Sequence, residues 1–320
     1  MTTIAYPAAM TTPPPDRYAV LGHPVAHSQS PFIHAEFARQ TGQAMTYGRI
    51  ESPLDAFEAT VRAFIASADP AAGRGPARGC NITVPFKFQV LPLAARASDR
   101  ARLAQAANVL RFDADGWLAD NTDGIGLVND IALGAGVALA GQRLLLVGAG
   151  GAAAGVLGPL IEAGPALVQV VNRSADKALA LVARHRGWAA QHRVALEGGG
   201  LDDAGRGFDL VINASASSLA GAAVPVSPAV LRPGALAVDL MYGAAAAPFL
   251  GWAAAAGARG RDGLGMLVEQ AAEAFALWRG VRPTTPPVLA ALRARIGAAP
   301  GATGAGRADA GGLHPHAGPR

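Results

Sequence analysis

The chain has 320 residues, of which 51% are hydrophobic and 16% are charged, so it is long enough for two globular domains and too apolar to be disordered throughout. Its net charge of +4 comes from dispersed basic residues, nearly all arginine, without a long basic run that could follow a nucleic-acid backbone. The single cysteine, Cys80, excludes an intramolecular disulfide and a cysteine-based zinc site, and it fits a cytoplasmic protein.

Both ends of the sequence are expected to lie outside the folded domains. Residues 1–16 are broken by prolines and lack the basic start of a signal peptide, so they predict a disordered arm. Residues 298–320 lack apolar periodicity and predict a disordered tail. The apolar run from Leu144 to Ile161 is long enough to span a membrane, but its Ala and Gly content indicates a buried strand, a turn and a buried helix instead.

The first part of the chain alternates strand-like and helical segments, which predicts an α/β domain. The strand Y-A-V-L-G precedes a helix with Ser30 as its expected N-cap and Pro31 at its first position. The strand M-T-Y-G-R-I and the helix P-L-D-A-F-E-A-T-V-R-A-F-I come next. Residues 69–79 are rich in Gly and predict a flexible loop. The strand G-C-N-I-T-V and a hairpin over residues 108–120 complete this part.

The chain after Gly124 repeats a strand–helix alternation. Its predicted strands are R-L-L-L-V-G, L-V-Q-V-V-N, F-D-L-V-I-N and A-L-A-V-D-L. Nearly continuous apolar strands are typical of a parallel sheet that is covered on both faces, so a doubly wound α/β domain is expected. Two helices follow, the first with a buried stripe of Leu267, Ala271, Ala274 and Trp278, and the second near residues 287–297.

A glycine motif predicts a dinucleotide site in this second domain. Gly148, Gly150 and Ala153 match G-x-G-x-x-G/A directly after a strand and at the start of a helix. The free N–H groups and the positive dipole of that helix terminus would bind a pyrophosphate. The candidate contacts are Gly148, Ala149, Gly150, Gly151 and Ala152.

The end of the next strand predicts NADP rather than NAD. An acidic residue that would bind the ribose 2′-hydroxyl of NAD is missing, and Asn172, Arg173 and Ser174 stand there instead. Arg173 could bind a 2′-phosphate through two hydrogen bonds, and Lys177 adds a second positive charge. The alternative is a solvent-exposed helix start that is capped by Ser174.

Lys87 and Lys177 are the only lysines in the chain. Lys87 ends the stretch N-I-T-V-P-F-K, and lysine, unlike arginine, can exchange a proton. Hydride addition to a ketone forms an alkoxide that needs a general acid beside it, and an ammonium group also stabilises the developing negative charge. Taken alone, Lys87 would be interpreted as a solvated residue and Asp123 as a turn former.

Three histidines, His23, His27 and His34, have a spacing that resembles a set of metal ligands. They lie on a predicted loop and helix without supporting carboxylates, and His27 is expected to shape the loop that contains Ser28. No metal site is therefore predicted.

Several separate motifs occur in an order that resembles the shikimate dehydrogenase family. They are G-H-P-V-A-H-S-Q-S-P, N-I-T-V-P-F-K, D-N-T-D-G-I-G, G-A-G-G-A, N-R-S, I-N-A-S and D-G-L-G-M-L-V-E-Q, and the resemblance extends from about Arg17 to Gly297. It implies a cytoplasmic enzyme for the reversible, NADPH-dependent reduction of 3-dehydroshikimate to shikimate, in aromatic amino acid biosynthesis.

The resemblance also implies a domain organisation. Residues 17–123 would form a substrate-binding domain, residues 124–261 a Rossmann NADP-binding domain, and residues 262–297 helices that return to the substrate-binding domain. The expected fold class is thus α/β with two domains, a doubly wound parallel sheet and a discontinuous substrate domain with a mainly parallel sheet.

The family pattern further implies roles for individual residues. Ser28 and Ser30 would hold the substrate carboxylate, and Lys87 with Asp123 would form an acid–base dyad. The ring hydroxyls would be surrounded by Thr83, Asn108, Tyr242 and Gln270, and the nicotinamide side would be lined by Asp99, Leu240 and Gly263.

One position departs from the family pattern, because Ser218 stands where a glycine usually ends the loop N-A-S/T-x-x-G. Two alternative functions stay open at this point. A quinate/shikimate dehydrogenase with relaxed NAD or NADP choice would share the fold, whereas a non-catalytic ligand sensor would be expected to lack Lys87 or Asp123. The expected partners are small-molecule substrates, without nucleic acid or membrane, and the chain is expected to be a monomer or a homodimer.

Overall fold

The computed structural model describes residues 13–215 and 224–297. Most of the expected N-terminal arm, the expected tail and Ser218 lie outside these ranges. Among the helices in the two described ranges, none combines the length and the apolar character that a membrane span needs. The apolar run from Leu144 to Ile161 forms most of one strand, a turn and most of one helix, as the sequence predicts.

The first sheet has six strands in the spatial order β2-β1-β3-β5-β6-β4. They are β1 (Asp16–Gly22), β2 (Met45–Glu51), β3 (Ala77–Ile82), β4 (Arg96–Ala97), β5 (Val109–Asp113) and β6 (Gly116–Asp120). β1 is parallel to β2 and β3, and β4 is parallel to β6, whereas β5 is antiparallel to both of its neighbours. The sheet is therefore mainly parallel, and its antiparallel part is the predicted hairpin.

The second sheet has six strands in the order β12-β11-β10-β7-β8-β9, all of them parallel. They are β7 (Arg143–Val147), β8 (Leu167–Val171), β9 (Ala195–Gly199), β10 (Phe208–Asn213), β11 (Leu231–Asp239) and β12 (Arg259–Arg261). The chain order reverses at β7, which lies between β8 and β10. In such sheets ligands bind at the carboxyl ends of the strands beside this reversal.

Helices cover both sheets. They are α1 (Ser30–Thr41), α2 (Phe57–Ala66), α3 (Asp99–Ala104), α4 (Asp123–Asn129), α5 (Gly151–Glu162), α6 (Ala175–Gln191), α7 (Ala247–Ala255), α8 (Leu264–Arg279) and α9 (Pro286–Gly297). Apolar side chains of α4, α5 and α6 pack on one face of the second sheet, and those of α7 pack on the other. α2 and α3 pack on the first sheet, and α1, α8 and α9 share a further apolar cluster. α8 also returns to the first sheet, because the indole N–H of Trp278 donates to the carbonyl oxygen of Leu110 at 3.0 Å.

Some local predictions were wrong. Ser30 is the first residue of α1 rather than its N-cap, because Gln29 occupies that position and makes no side-chain cap. The third strand starts at Ala77, so residues 77–79 belong to β3 and not to the predicted loop. The sequence patterns did not predict β4, β9 or β12. β9 contains Glu197 and Gly198 and is half-exposed, so it lacks the apolar run that marked its neighbours.

Candidate active site

A cleft of about 440 Å³ lies at the carboxyl ends of β1, β3 and β11, beside α1, α4 and α8. Eight residues that the sequence assigned to substrate or catalysis all line it: Ser28, Ser30, Thr83, Lys87, Asn108, Asp123, Tyr242 and Gln270. Ala152, Leu240 and Gly263, which were assigned to the cofactor, line the same cleft. The structure therefore brings together residues that lie more than two hundred positions apart in the chain.

Lys87 and Asp123 form an ion pair in this cleft. Lys87 lies on a short 3₁₀ turn after β3, and Asp123 is the first residue of α4. The distance between Lys87 Nζ and Asp123 Oδ2 is 2.6 Å, and the side chains are 18% and 7% exposed. A carboxylate so poorly solvated is stable only when it is paired, and the ammonium group supplies the pair.

Asn108 connects the ion pair to the rest of the cleft. Its Nδ2 donates to Asp123 Oδ1 at 2.9 Å and to Gln270 Oε1 at 3.1 Å. Its Oδ1 accepts from the backbone N–H of Thr122 at 2.8 Å. Since Asn108 is buried, this network fixes the carboxylate of Asp123 and leaves its second oxygen for Lys87.

A partly buried ionic group holds the segment before Asp123 in place. Arg100 donates to both carboxylate oxygens of Asp120, at 2.7 and 2.6 Å, and to Glu273 on α8 at 3.1 Å. Burial would raise the pKa of the Asp120 carboxyl, but the hydrogen bonds and charge of Arg100 outweigh it and lower that pKa overall. Asp120 also accepts from the backbone N–H of Asn121, at 2.7 Å, which orients the turn into α4.

Gly126 allows α4 and α8 to meet at the cleft. A Cβ atom at this position would lie 2.6 Å from the backbone nitrogen of Gln270 and 2.6 Å from its Cβ. Any side chain at this position would therefore separate the two helices. The close approach places the Gln270 amide oxygen within hydrogen-bond distance of Asn108.

The two serines lie at the start of α1. Ser28 Oγ lies 3.2 Å from Ser30 Oγ and accepts from the Ser30 backbone N–H at 3.3 Å. Beside them, the Tyr47 hydroxyl donates to Asn81 Oδ1 at 2.6 Å, and burial raises the pKa of Tyr47 well above its usual value. Asn81 lines the cleft and was not predicted. It begins N-I-T-V-P-F-K, so an amide in an apolar strand was the signal that could have found it.

The glycine motif forms the predicted strand–turn–helix. Gly148 has φ +119°, a conformation that favours glycine, and its N–H donates to Val171 O at 2.7 Å. Gly150 precedes α5 as its N-cap without a side-chain cap, and a Cβ atom added there would meet nothing within 4 Å. An uncapped helix start beside open space fits a pyrophosphate group. Ala149 and Ala152 are half-buried, and Gly151 lies under the ring of Phe88 from the first domain.

The predicted 2′-phosphate site lies at the end of β8. Arg173, Ser174 and Lys177 are exposed, and in the described part of the chain neither cation has an ion-pair partner. Asn172 Nδ2 donates to the backbone oxygen of Ser174 at 3.1 Å. Ser174 occupies the N-cap position of α6, but its side chain makes no capping hydrogen bond. The alternative that Ser174 only caps this helix is therefore not supported by a hydrogen bond.

Asp99 is predicted to line the nicotinamide side, and that role stays a prediction. It does not line the cleft but begins α3, with a side chain that is 87% exposed and 2.6 Å from Arg102. An acidic residue in the first turn of a helix is also favoured by the helix dipole. Leu240 and Gly263, assigned together with it, do lie in the cleft. Tyr242 lies beside them, and burial raises the pKa of its hydroxyl.

The histidines are dispersed. His23 lies 3.5 Å from Glu51, His27 lines the cleft, and His34 is fully buried against Tyr47. Burial lowers the pKa of His34 to about 3. Within residues 13–215 and 224–297, no group of three or more His, Cys, Asp or Glu side chains is arranged to hold a metal ion.

Three family models match the chain. The model described as the shikimate dehydrogenase substrate binding domain matches residues 20–110, and that of shikimate/quinate 5-dehydrogenase matches residues 130–221. The model of the shikimate 5′-dehydrogenase C-terminal domain matches residues 263–293.

Individual proteins are similar over nearly the same span. The shikimate dehydrogenase (NADP(+)) of Methylibium petroleiphilum is 67% identical over 281 residues, which are 88% of this chain and 95% of that protein. An Ael1 enzyme from Pseudomonas putida is 46% identical, with a TM-score of 0.77 over 87% of this chain and 98% of its own. The shikimate 5-dehydrogenase from Thermus thermophilus, solved in complex with NADP(H) and shikimate, is 30% identical, with a TM-score of 0.72 over 87% and 99% of the two chains.

Proposed function

The chain belongs to the shikimate dehydrogenase family, and from this membership we propose that it catalyses the reversible, NADPH-dependent reduction of 3-dehydroshikimate to shikimate in aromatic amino acid biosynthesis. The observation that carries the proposal is the ion pair between Lys87 Nζ and Asp123 Oδ2, 2.6 Å apart in the cleft. The pair supports this reaction because the Lys87 ammonium group borders the same cavity as Ala152. Ala152 lies in the first turn of α5 and belongs to the predicted dinucleotide site, so a proton donor and the cofactor would meet in one cleft.

Lys87 acts as the general acid in the reductive direction. Its ammonium group donates a proton to the carbonyl oxygen of the substrate as hydride adds to the carbonyl carbon. NADPH, when bound along residues 148–152 and at Arg173, supplies that hydride. Asp123 holds the ammonium group in position, and Asn108 holds Asp123. A proton from water restores Lys87, and in the oxidative direction its neutral amine accepts the proton of the shikimate hydroxyl.

The neutral polar residues of the cleft bind the rest of the substrate. Ser28 and Ser30 donate to the carboxylate, and Thr83, Asn108, Tyr242 and Gln270 bond the ring hydroxyls. Each buried hydroxyl that is left without a partner costs roughly 1–3 kcal/mol, so several short polar side chains are needed for a polyhydroxy acid. Leu240 and Gly263 border the nicotinamide side.

NADP is the cofactor that the second domain suits. Arg173 and Lys177 offer two exposed cations at the end of β8, where a 2′-phosphate would add two negative charges. Asn172 and Ser174 replace the acidic residue that an NAD site usually has there, which argues against relaxed cofactor choice. The presence of both Lys87 and Asp123 argues against a non-catalytic sensor. A cytoplasmic location and a monomeric or homodimeric state are proposed with it, the former supported by the single buried thiol of Cys80.

The test compares substrates and cofactors side by side. Purified protein is assayed for NADP⁺ and NAD⁺ reduction with shikimate and with quinate at equal concentrations. Shikimate with NADP⁺ should give the highest kcat/KM. A higher kcat/KM with quinate would support the quinate/shikimate alternative, and no activity with either substrate would contradict the proposed function.

A further inference from the structure

The cleft offers no unpaired charge for a substrate carboxylate. Among the described residues that line it, the only basic or acidic side chains besides His27 are Lys87 and Asp123. Lys87 Nζ and Asp123 Oδ2 are paired with each other at 2.6 Å. Ser28 and Ser30 offer neutral hydroxyls only. Because a carboxylate loses hydration when it enters such a cleft, neutral donors alone leave much of that loss uncompensated.

Arg49 lies directly behind the serines. It is an exposed residue of β2, and its Nε and Nη2 donate to the carbonyl oxygen of Ser28 at 3.0 and 2.6 Å. Across the described ranges its guanidinium group has no ion-pair partner. Glu51, two residues further along β2, lies 3.5 Å from His23 instead. Arg49 is thus a cation that a backbone oxygen holds in place and that no carboxylate of the described residues pairs with.

The N-terminus of α1 adds partial positive charge beside the serines. The helix begins at Ser30, has no acidic residue in its first turn, and has Gln29 as an N-cap without a side-chain hydrogen bond. The positive end of the helix dipole is therefore not neutralised at the serine pair. Arg49 and the helix start thus both favour an anion beside Ser28 and Ser30.

We propose that Arg49 recruits the substrate through its carboxylate, acting from behind Ser28 without direct contact. The inference rests on the proposed function and deepens it, because it names the group that selects acids over neutral cyclohexenols. A carboxylate on Ser28 Oγ would lie roughly 6–8 Å from the guanidinium group, with one residue between them. This attraction favours binding of the acid, so it raises kcat/KM by lowering KM. Because it acts partly through solvent, it is weakened by salt and depends on ionic strength.

The experiment compares Arg49→Gln and Arg49→Lys with the wild type on two substrates, shikimate and its uncharged methyl ester. Gln keeps an N–H donor for Ser28 O, and Lys keeps the charge. Arg39→Gln, at an exposed arginine of α1 that pairs with Glu36, is the matched control. Initial rates are measured with NADP⁺ at low salt and at about 0.5 M salt.

For Arg49→Gln we expect kcat/KM for shikimate to fall about tenfold at low salt and about twofold at high salt, with kcat nearly unchanged. Arg49→Lys should keep most of the activity, and the ester should be oxidised equally by all variants. An equal loss with acid and ester would mean that Arg49 only supports the Ser28 loop, and would overturn the inference. So would an Arg49→Gln protein that behaves like Arg39→Gln. Absence of shikimate oxidation by the wild type would instead contradict the proposed function itself.

Discussion

His34 makes the stability of this protein sensitive to acid. The side chain is fully buried on α1, next to the serine end of the cleft, and stacks on Tyr47 with ring centroids 4.2 Å apart. Burial lowers its pKa from 6.5 to about 3. Below pH 6.5 the unfolded chain therefore binds a proton that the native protein does not bind until the pH approaches 3. Stability is highest above this window and falls as the pH decreases through it.

The size of the effect follows from the two pKa values. Between pH 7 and pH 5, proton binding to the unfolded state lowers the free energy of unfolding by about 2 kcal/mol for His34 alone. In His34→Phe an aromatic ring can still stack on Tyr47, but the titrating group is gone. Its free energy of unfolding should therefore decrease by about 2 kcal/mol less than that of the wild type over the same interval.

Urea unfolding of both proteins at pH 8, 7 and 5 measures this difference. The interval from pH 8 to pH 7 is the internal control, because His34 in the unfolded chain is only about one quarter protonated at pH 7, so the two proteins should change nearly in parallel. If wild type and His34→Phe lose the same stability between pH 7 and pH 5, the reasoning from burial is refuted.

Two further substitutions test the cofactor site and the helix junction. Arg173→Ala should raise KM for NADPH by about 10- to 100-fold, as expected for a lost charge-assisted contact of about 1.5–3 kcal/mol, and change KM for NADH less than about twofold. Equal weakening of both cofactors would contradict the 2′-phosphate assignment. Gly126→Ala should cost about 1–3 kcal/mol of stability, because its Cβ meets Gln270 at 2.6 Å, and should also lower kcat/KM for shikimate. The matched control is Gly187→Ala in α6, where the added Cβ would meet nothing within 4 Å, and this variant should be about 0.5–1 kcal/mol more stable than the wild type. Similar stabilities of the two variants in thermal melts would refute the close-approach argument.

Local patterns predicted much of this fold. The apolar runs of β7, β8 and β10 and the glycine motif after β7 identified the nucleotide-binding sheet, because buried parallel strands and their helix starts leave short, strong signals. β9 escaped detection because Glu197 and the glycines beside it interrupt any apolar run. Weak edge strands depend on pairing with a neighbour, which periodicity alone does not show.

The cleft depended on contacts between distant parts of the chain. Asn108 and Gln270 are 162 positions apart and meet only because α8 packs against α4 at Gly126, so the family motifs rather than spacing predicted their meeting. The same transfer also placed Asp99 on the nicotinamide side, and for this exposed residue at a helix start that role stays a prediction. Arg49 escaped notice because an arginine on an exposed strand is ordinary until the structure shows which backbone oxygen it holds.

The role of Lys87 is the central claim, and one variant tests it most directly. Lys87→Ala removes the proposed acid–base group and its charge but leaves the serines, Asn108 and Gln270 in place. The kcat for shikimate oxidation with NADP⁺ should fall by about 10²–10⁴-fold or more, while shikimate still binds with a Kd within about tenfold of the wild type. Lys177→Ala, at the only other lysine, should instead raise KM for NADP⁺. A Lys87→Ala enzyme with near-normal kcat would contradict the account.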